Sequence, residues 1–168
     1  MTPFRFEHEF RAPSVAVIFE AYFDAALQAQ QDLASKIRAR EVIEREETAD
    51  HRIVVTKVFP ERQLPAVVRP LVSGPLHYVE RTVWDKHADR MDLDIRPSLL
   101  GKRTQIRVAY TVAQIAPGRV LRVCEGDATV EVALIGGRVE RSIIEDMAET
   151  LPRVAACTQA WLDARSGL

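Results

Sequence analysis

Alternating aromatic and polar positions predict a strand at the start of the chain. Phe4, Phe6 and Phe10 recur within residues 4–11 on one face, and His8 occupies the remaining position of that face. Charged residues fill the positions between them. Because successive side chains of a strand point to opposite faces, this period of two predicts one buried face and one solvated face.

Helical spacing follows, and after it come strands in close succession. Apolar residues from Val15 to Leu27 recur three or four positions apart, which predicts a helix, with a bend, over residues 15–33. The charged segment 37–47 suits a helix as well as a strand by propensity, and we interpret it as a strand. Further strands are predicted at residues 52–59, 77–85, 91–96, 104–113 and 120–132. Short turns join these strands, which favours antiparallel pairing of about seven strands in all.

A long amphipathic helix closes the chain. Residues 138–164 follow Gly136 and Gly137 and carry an apolar stripe opposite a charged face, and Pro152 predicts a kink. Such a helix is about 40 Å long and about 10–12 Å across, whereas a sheet of about seven strands is roughly 33 Å wide. One helix therefore covers one face only if the sheet curls around it. A curled sheet tends to enclose a cavity, which argues for holding a small apolar molecule.

A proline-rich segment separates two of the predicted strands. Residues 60–75 contain four prolines, and prolines at that spacing exclude a central strand. The apolar residues of the segment nevertheless share one face at helical spacing: Leu64, Val67, Val68, Leu71 and Val72. We interpret the segment as a short apolar helix or wide loop across the mouth of the sheet, either a lid that gates a cavity or a plug at one end.

Composition narrows the class of protein. Of the 168 residues 47% are hydrophobic and 28% charged, which fits one domain with a sizeable core. A net charge of −1, with both signs spread along the chain, gives no basic footprint for nucleic acid. No stretch approaches the roughly 20 apolar residues of a membrane-spanning helix, and no secretory signal follows Met1. Cys124 and Cys157 lie singly, so we expect reduced thiols and a cytoplasmic protein.

Common catalytic motifs are missing from the sequence. No Gly-x-Ser-x-Gly occurs, and neither a phosphate-binding loop nor a dinucleotide fingerprint follows any strand. The four histidines are scattered, and Asp92 and Asp94 lie on the predicted wet face of their strand, so a metal site is not indicated. We therefore assign no catalytic residue, no metal and no cofactor from motifs.

A few polar residues share faces with apolar ones and could still contact a ligand. His8 lies among three phenylalanines, where it is either a core histidine with its hydrogen bonds satisfied or a ligand contact. Glu80 alternates with Trp84, so it points into the cavity if the Trp84 face is the inner one. A buried carboxylate must be paired or have its pKa raised. Three arginines are possible partners: Arg45, Arg81 and Arg103.

The residue pattern resembles a known superfamily. The resemblance is carried by the opening strand at 4–11, by Pro13, Val17, Phe19 and Asp24, by residues 81–85, and by residues 134–140, which enter the final helix. In order and spacing these features are similar to the START-like, helix-grip proteins of the SRPBCC superfamily, and the last stretch resembles an uncharacterised bacterial branch. The resemblance implies a single START-like domain over residues 1–168, of class α+β. It also implies the order β-α-α-β6-α, a sheet wrapped around the long C-terminal helix, and a hydrophobic tunnel between them.

The leading interpretation is a protein that binds a small hydrophobic ligand, such as a lipid, a fatty acid, or an aromatic or polyketide-like compound. No nucleic-acid partner and no transmembrane segment are expected, and the oligomeric state is left open. Candidate cavity-lining residues are Phe59, Tyr78, Glu80, Trp84, Leu93, Ile95, Ile106, Tyr110, Ile143 and Met147.

Two alternatives belong to other classes. One is an aromatase, cyclase or hydratase that uses Glu80, His8 or Tyr110 as acid or base, which requires two of these groups within hydrogen-bond reach in one cavity. The other is a partner-binding protein without a small ligand, whose contact patch is the apolar face of the proline-rich segment.

Overall fold

The computed structural model describes residues 1–61, 74–98 and 103–166. The strands are β1 (Thr2–Arg11), β2 (Ile37–Glu47), β3 (His51–Pro60), β4 (Tyr78–Asp85), β5 (Arg90–Pro97), β6 (Thr104–Ala116) and β7 (Arg119–Val130). The helices are α1 (Val15–Tyr22), α2 (Ala25–Ser35) and α3 (Gly136–Ser166). Most of the proline-rich segment interpreted as a lid or plug lies outside the described residues. Among the described helices, none is long and apolar enough to cross a membrane.

All seven strands form one antiparallel sheet in the order β1-β7-β6-β5-β4-β3-β2. Neighbours along the chain are neighbours in the sheet from β2 to β7, including β3 and β4, which residues 61–77 separate. The first strand pairs with the last, so β1 and β2 are the two edges of the sheet. This confirms the predicted α+β class and the order β-α-α-β6-α.

The two faces of the sheet differ as the sequence pattern predicts. On β1, Phe4 and Phe10 are buried while Arg5 and Glu7 are exposed. The inner face packs against the helices in one apolar core, to which α3 contributes Leu151. Helix α3 continues through Pro152, and the kink predicted there stays a prediction.

A short helical hairpin, α1–α2, covers the part of the inner face that α3 leaves open. The predicted helix breaks at Phe23 and Asp24, and the Asp24 carboxylate accepts a hydrogen bond from the Leu27 backbone N–H at 2.9 Å, capping α2. Phe19 of α1 stacks on Trp84 of β4 with ring centroids 5.5 Å apart. The hairpin is thereby fixed against the middle of the sheet.

One glycine permits close approach between β7 and its neighbour β6. A Cβ atom at Gly126 would lie 1.9 Å from the carbonyl oxygen of Arg107 and 3.1 Å from the ring of Phe4. No real side chain fits at that distance, so only glycine allows the backbones to meet here. The position lies on the inner face, across from Val108.

Candidate functional site

A small cavity lies where the helical hairpin, the sheet and α3 meet. Its volume is about 40 Å³. That is room for about three water molecules, since one water needs at least about 10–15 Å³ by this measure. The lining residues come from all three layers of the fold: Ile18, Phe19, Ala21, Tyr22, Gln31, Met91, Tyr110, Val112, Arg122, Val154 and Thr158.

Arg122 is the charged residue of this lining. It lies on the inner face of β7 with only 7% of its surface exposed. Its Nε and Nη2 atoms are buried and have no hydrogen-bond acceptor in the described part of the chain. The guanidinium carbon instead lies 5.0 Å from the centroid of the Phe10 ring and 5.4 Å from that of Tyr110. Contacts with ring faces stabilise a cation without accepting its N–H groups.

His8 lies beside Arg122 on the neighbouring strand, since the two residues are Cα partners across β1 and β7. The Nδ1 atom of His8 is also buried without a hydrogen-bond partner. Burial lowers the pKa of His8, and the charge of Arg122 lowers it further. The imidazole is therefore neutral at neutral pH, and Arg122 is the positive charge of this pair.

Tyr110 and Cys124 complete the neutral surroundings of Arg122. Burial raises the pKa of Tyr110 far above its ordinary value, and burial also raises the pKa of Cys124. Both groups therefore stay protonated at neutral pH. Neither supplies a negative charge that could compensate the Arg122 guanidinium.

Glu80 belongs to a separate polar cluster under the hairpin. Its Oε1 atom accepts hydrogen bonds from the Tyr22 hydroxyl at 2.9 Å and the Thr82 hydroxyl at 3.4 Å. Burial raises the pKa of Tyr22, and the Glu80 carboxylate raises it further, so the phenol remains the donor. Arg40 donates to Asp32 at 2.7 Å nearby; burial opposes its charge, but Glu80 and its other anionic neighbours raise the pKa of Arg40.

The partners of Glu80 differ from the three arginines that the sequence suggested. Arg45, Arg81 and Arg103 form no described hydrogen bond with it, and the exposed Arg81 neighbours Glu80 along β4, where alternation sends it to the opposite face. A tyrosine from α1 takes their place. Sequence alternation identifies the face of a strand, but it does not show which helix residue lies above it.

The three residues proposed as acid or base share the inner face but lie apart. Glu80 on β4 and His8 on β1 are four strand positions apart in the sheet order, roughly 19 Å along the sheet at 4.7–4.9 Å per strand. Tyr110 lies on β6 between them and lines the cavity, which Glu80 and His8 do not. No hydrogen bond joins any two of the three among the described residues.

Most of the predicted cavity-lining residues lie in the core, and Tyr110 alone among them lines the cavity. Phe59 lies on the outer face: it follows the buried Val58 on β3, and its ring contacts His77 and Lys57. Alternation along β3 is the physical reason, because adjacent side chains cannot share a face. Buried in the core are Trp84, Leu93 and Ile106. Ile95, Ile143 and Met147 pack against that core, and Tyr78 lies on the inner face beside Glu80.

Sequence reasoning missed Arg122, Gln31 and Thr158. For Arg122 a signal existed: residues 120, 124, 128 and 130 on its own face are all small or apolar. The opposite face of β7 also carries apolar residues, Leu121 and Val123. Alternation alone therefore did not identify which face of β7 is buried. Thr158 lies four positions after Val154 and four before Leu162, so helical spacing puts it on the apolar stripe of α3. Gln31 lies near the end of α2, where no large apolar residue continues the stripe.

The outer face of the sheet carries a larger but open depression of about 410 Å³. Charges of both signs line it, and Arg90 pairs with Asp92 along β5 at 2.7 Å. Arg107 of the lining pairs with Asp127 on the neighbouring strand at 3.1 Å. Within the described residues no three His, Cys, Asp or Glu side chains cluster as metal ligands. The interior cavity is therefore the better candidate site.

Solved structures share this fold across nearly the whole chain. The crystal structure of TTHA0849 from Thermus thermophilus matches with a TM-score of 0.68, 13% identity, and coverage of 98% of this chain and 99% of that one. The Zhui aromatase/cyclase from Streptomyces sp. R1128 gives 0.66 at 11% identity, covering 98% and 95%. A START superfamily protein from Mycobacterium smegmatis gives 0.61 at 12%, covering 96% and 97%. At such identities the likeness shows the fold alone, and it confirms the START-like resemblance at that level.

Sequence comparison assigns the family. No curated protein matches the chain. A family model described as "Protein of unknown function (DUF2505)" matches residues 5–162, which is nearly all of the sequence. The chain therefore belongs to the DUF2505 family, a family of proteins of unknown function with a START-like fold.

Proposed function

We propose that this domain binds a small, largely apolar molecule between its sheet and its helices. The observation that carries the proposal is the cavity where the hairpin, β5–β7 and α3 meet, lined by apolar side chains and a few polar ones. Ligand sites have this composition: a mostly apolar lining gives affinity, and a few polar groups fix orientation. Neighbours of this fold include an aromatase/cyclase and a START superfamily protein, which supports the same class.

Binding requires the cavity to widen. Ligand sites for drug-sized molecules typically have volumes of about 300–1,000 Å³, far more than the 40 Å³ found here. The cavity could widen at the seam between α2 and α3. Gln31 and Thr158 both line the cavity there, and one hydrogen bond of 3.1 Å between them bridges the two helices. A ligand that displaces this bond gains space at that point of the seam, while the ion pair between Arg165 and Asp24 at 2.9 Å still joins the end of α3 to the start of α2. Net contributions of single hydrogen bonds are about 0.5–1.5 kcal/mol.

Apolar contact would supply most of the affinity. Phe19, Met91 and Val112 present buried apolar surface to the cavity. Removal of apolar ligand surface from water is worth about 25 cal/mol per Å². Lipids, fatty acids and aromatic or polyketide-like compounds all satisfy this requirement, and a body of aliphatic or aromatic carbon is the feature they share.

A neutral fluorescent probe tests the proposal. We expect N-phenyl-1-naphthylamine to bind the wild-type protein with increased fluorescence. Val154→Trp, which fills the cavity from α3, should weaken that binding at least about tenfold because a well-packed site has no room for the probe. Ile115→Trp places the same side chain at an exposed position of β6 and serves as the control.

Either of two results would contradict the proposal. One is a wild-type protein that does not bind the probe or any other apolar compound. The other is equal binding by wild type and Val154→Trp, provided that circular dichroism shows both to be folded, since the probe would then occupy the surface.

A further inference from the structure

We infer that Arg122 is the anchor for a carboxylate, so that the ligand is a monocarboxylate with an apolar body. The inference rests on the proposed function and specifies the chemical class of the ligand. Its basis is a buried guanidinium that lines the cavity and has no acceptor for two of its nitrogens among the described residues.

The two unpartnered nitrogens of Arg122 define a binding shape. Nε and Nη2 form one edge of the planar guanidinium, and their N–H bonds run parallel. A carboxylate presents two oxygens at the matching separation, so it can accept both bonds at once. The Phe10 and Tyr110 rings contact the cation at 5.0 Å and 5.4 Å and accept neither of those N–H groups. The edge is thus available to a ligand in the cavity.

Charge balance favours one negative charge on the ligand. Buried arginines are normally paired, because an isolated charge away from water is costly. Around Arg122, His8 is neutral and Tyr110 and Cys124 are protonated, so none of them compensates the cation. Glu80 is already engaged with Tyr22 and Thr82. A single carboxylate neutralises the site, whereas a phosphate would bring more charge than one guanidinium matches.

The remaining lining suits the rest of such a ligand. Gln31 and Thr158 lie at the seam between α2 and α3 and add neutral polar groups to the lining. Ile18, Phe19 and Met91 provide the apolar wall against which the carbon body would pack. The lining therefore combines polar groups with apolar surface, as an amphipathic acid requires.

Matched acids and alcohols test the inference by isothermal titration. The probes are octanoate, dodecanoate and 2-naphthoate, each compared with the alcohol of the same carbon skeleton. We expect at least one acid to bind wild type about 10-fold to 100-fold more tightly than its alcohol, the range for hydrogen bonds to a charged group. Arg122→Met should abolish this preference, because acid binding loses a charge-assisted pair of hydrogen bonds whereas alcohol binding loses at most a single one.

Two further variants keep the result interpretable. Arg122→Lys retains the positive charge but lacks the two parallel N–H bonds of the guanidinium edge, so we expect a reduced preference for the acid. Arg107→Met removes an arginine from the outer face of β6, where it pairs with Asp127, and should keep the full preference. If Arg122→Met does not fold, Arg122→Lys still tests the inference. Loss of the planar guanidinium must weaken binding of the acid more than binding of the alcohol.

Equal affinity of wild type for acid and alcohol would overturn the inference and leave the binding function intact. So would an unchanged acid preference in both Arg122 variants, which would place the head group elsewhere. Failure of every acid, every alcohol and the neutral probe would overturn both the inference and the proposed function.

Discussion

At the scale of residues, Arg122 combines burial with a charge that nothing in the described chain pairs. It is 7% exposed, and two of its nitrogens lack acceptors. A buried, unsatisfied polar group typically costs about 1–3 kcal/mol, and a charged one costs more. Two ring faces offset part of this cost. Side chains that destabilise the free protein in this way are typical of binding sites, where function opposes stability.

This cost leads to a prediction about the ligand-free protein. Arg122→Met removes the buried charge and fills much of the same space, so we expect the free energy of unfolding to rise by about 1–3 kcal/mol. Urea denaturation of protein stripped of small molecules measures the change. Arg107→Met, which breaks an exposed ion pair instead, should change it by less than about 1 kcal/mol. A loss of stability in Arg122→Met would contradict this prediction and show that the contacts with the Phe10 and Tyr110 rings outweigh the cost of the buried charge.

Individual residues were the part of the site that sequence predicted least well. The inward direction of Glu80 followed from its alternation with Trp84, which is buried in the structure. Its partner Tyr22 comes from another element, and alternation along one strand holds no information about that contact. Phe59 was predicted to line the cavity, but it follows the buried Val58 on β3, and alternation places it on the outer face.

At the scale of elements, the strands and helices follow from local patterns. Each predicted strand has a counterpart within a few residues, and the charged segment interpreted as a strand is β2, most of whose residues are exposed at the sheet edge. An edge strand pairs with only one neighbouring strand, and little of β2 is buried by other elements. It therefore needs no apolar stripe. The break between α1 and α2 was predicted only as a bend, because the cap at Asp24 is a single polar residue in a helical pattern.

The close approach of β6 and β7 gives a prediction at this scale. Gly126→Ala would place a methyl group against the Arg107 carbonyl, so the strands must separate. We expect a destabilisation of about 1–3 kcal/mol, the usual cost of forcing extra atoms into a packed core.

Thermal unfolding of a matched glycine variant provides the control. Gly137→Ala lies near the start of α3, where the new methyl group meets only the end of the Arg141 side chain at 3.7 Å. Alanine favours a helix over glycine by about 1 kcal/mol, so this variant should be neutral or stabilised. Equal tolerance of both substitutions would show that β6 and β7 do not depend on glycine for their spacing.

At the scale of the whole molecule, the sheet curls over α3 and the hairpin as the widths of sheet and helix require. Those widths predict a cavity but not its size, because the volume depends on how the side chains of three layers pack against one another. The structure shows about 40 Å³, a small space with a charged residue on its wall. Polar side chains also line this space, namely Arg122, Gln31 and Thr158.

The central claim is that this interior holds a small molecule, and the most direct test is to look for one. The protein would be purified without denaturants, its intact mass measured under native conditions, and its small molecules extracted and identified by mass spectrometry. We expect a near-stoichiometric compound with an apolar body and a carboxylate, lost from Val154→Trp and retained by Ile115→Trp. An empty, stably folded protein whose melting temperature no apolar acid or alcohol raises would contradict it.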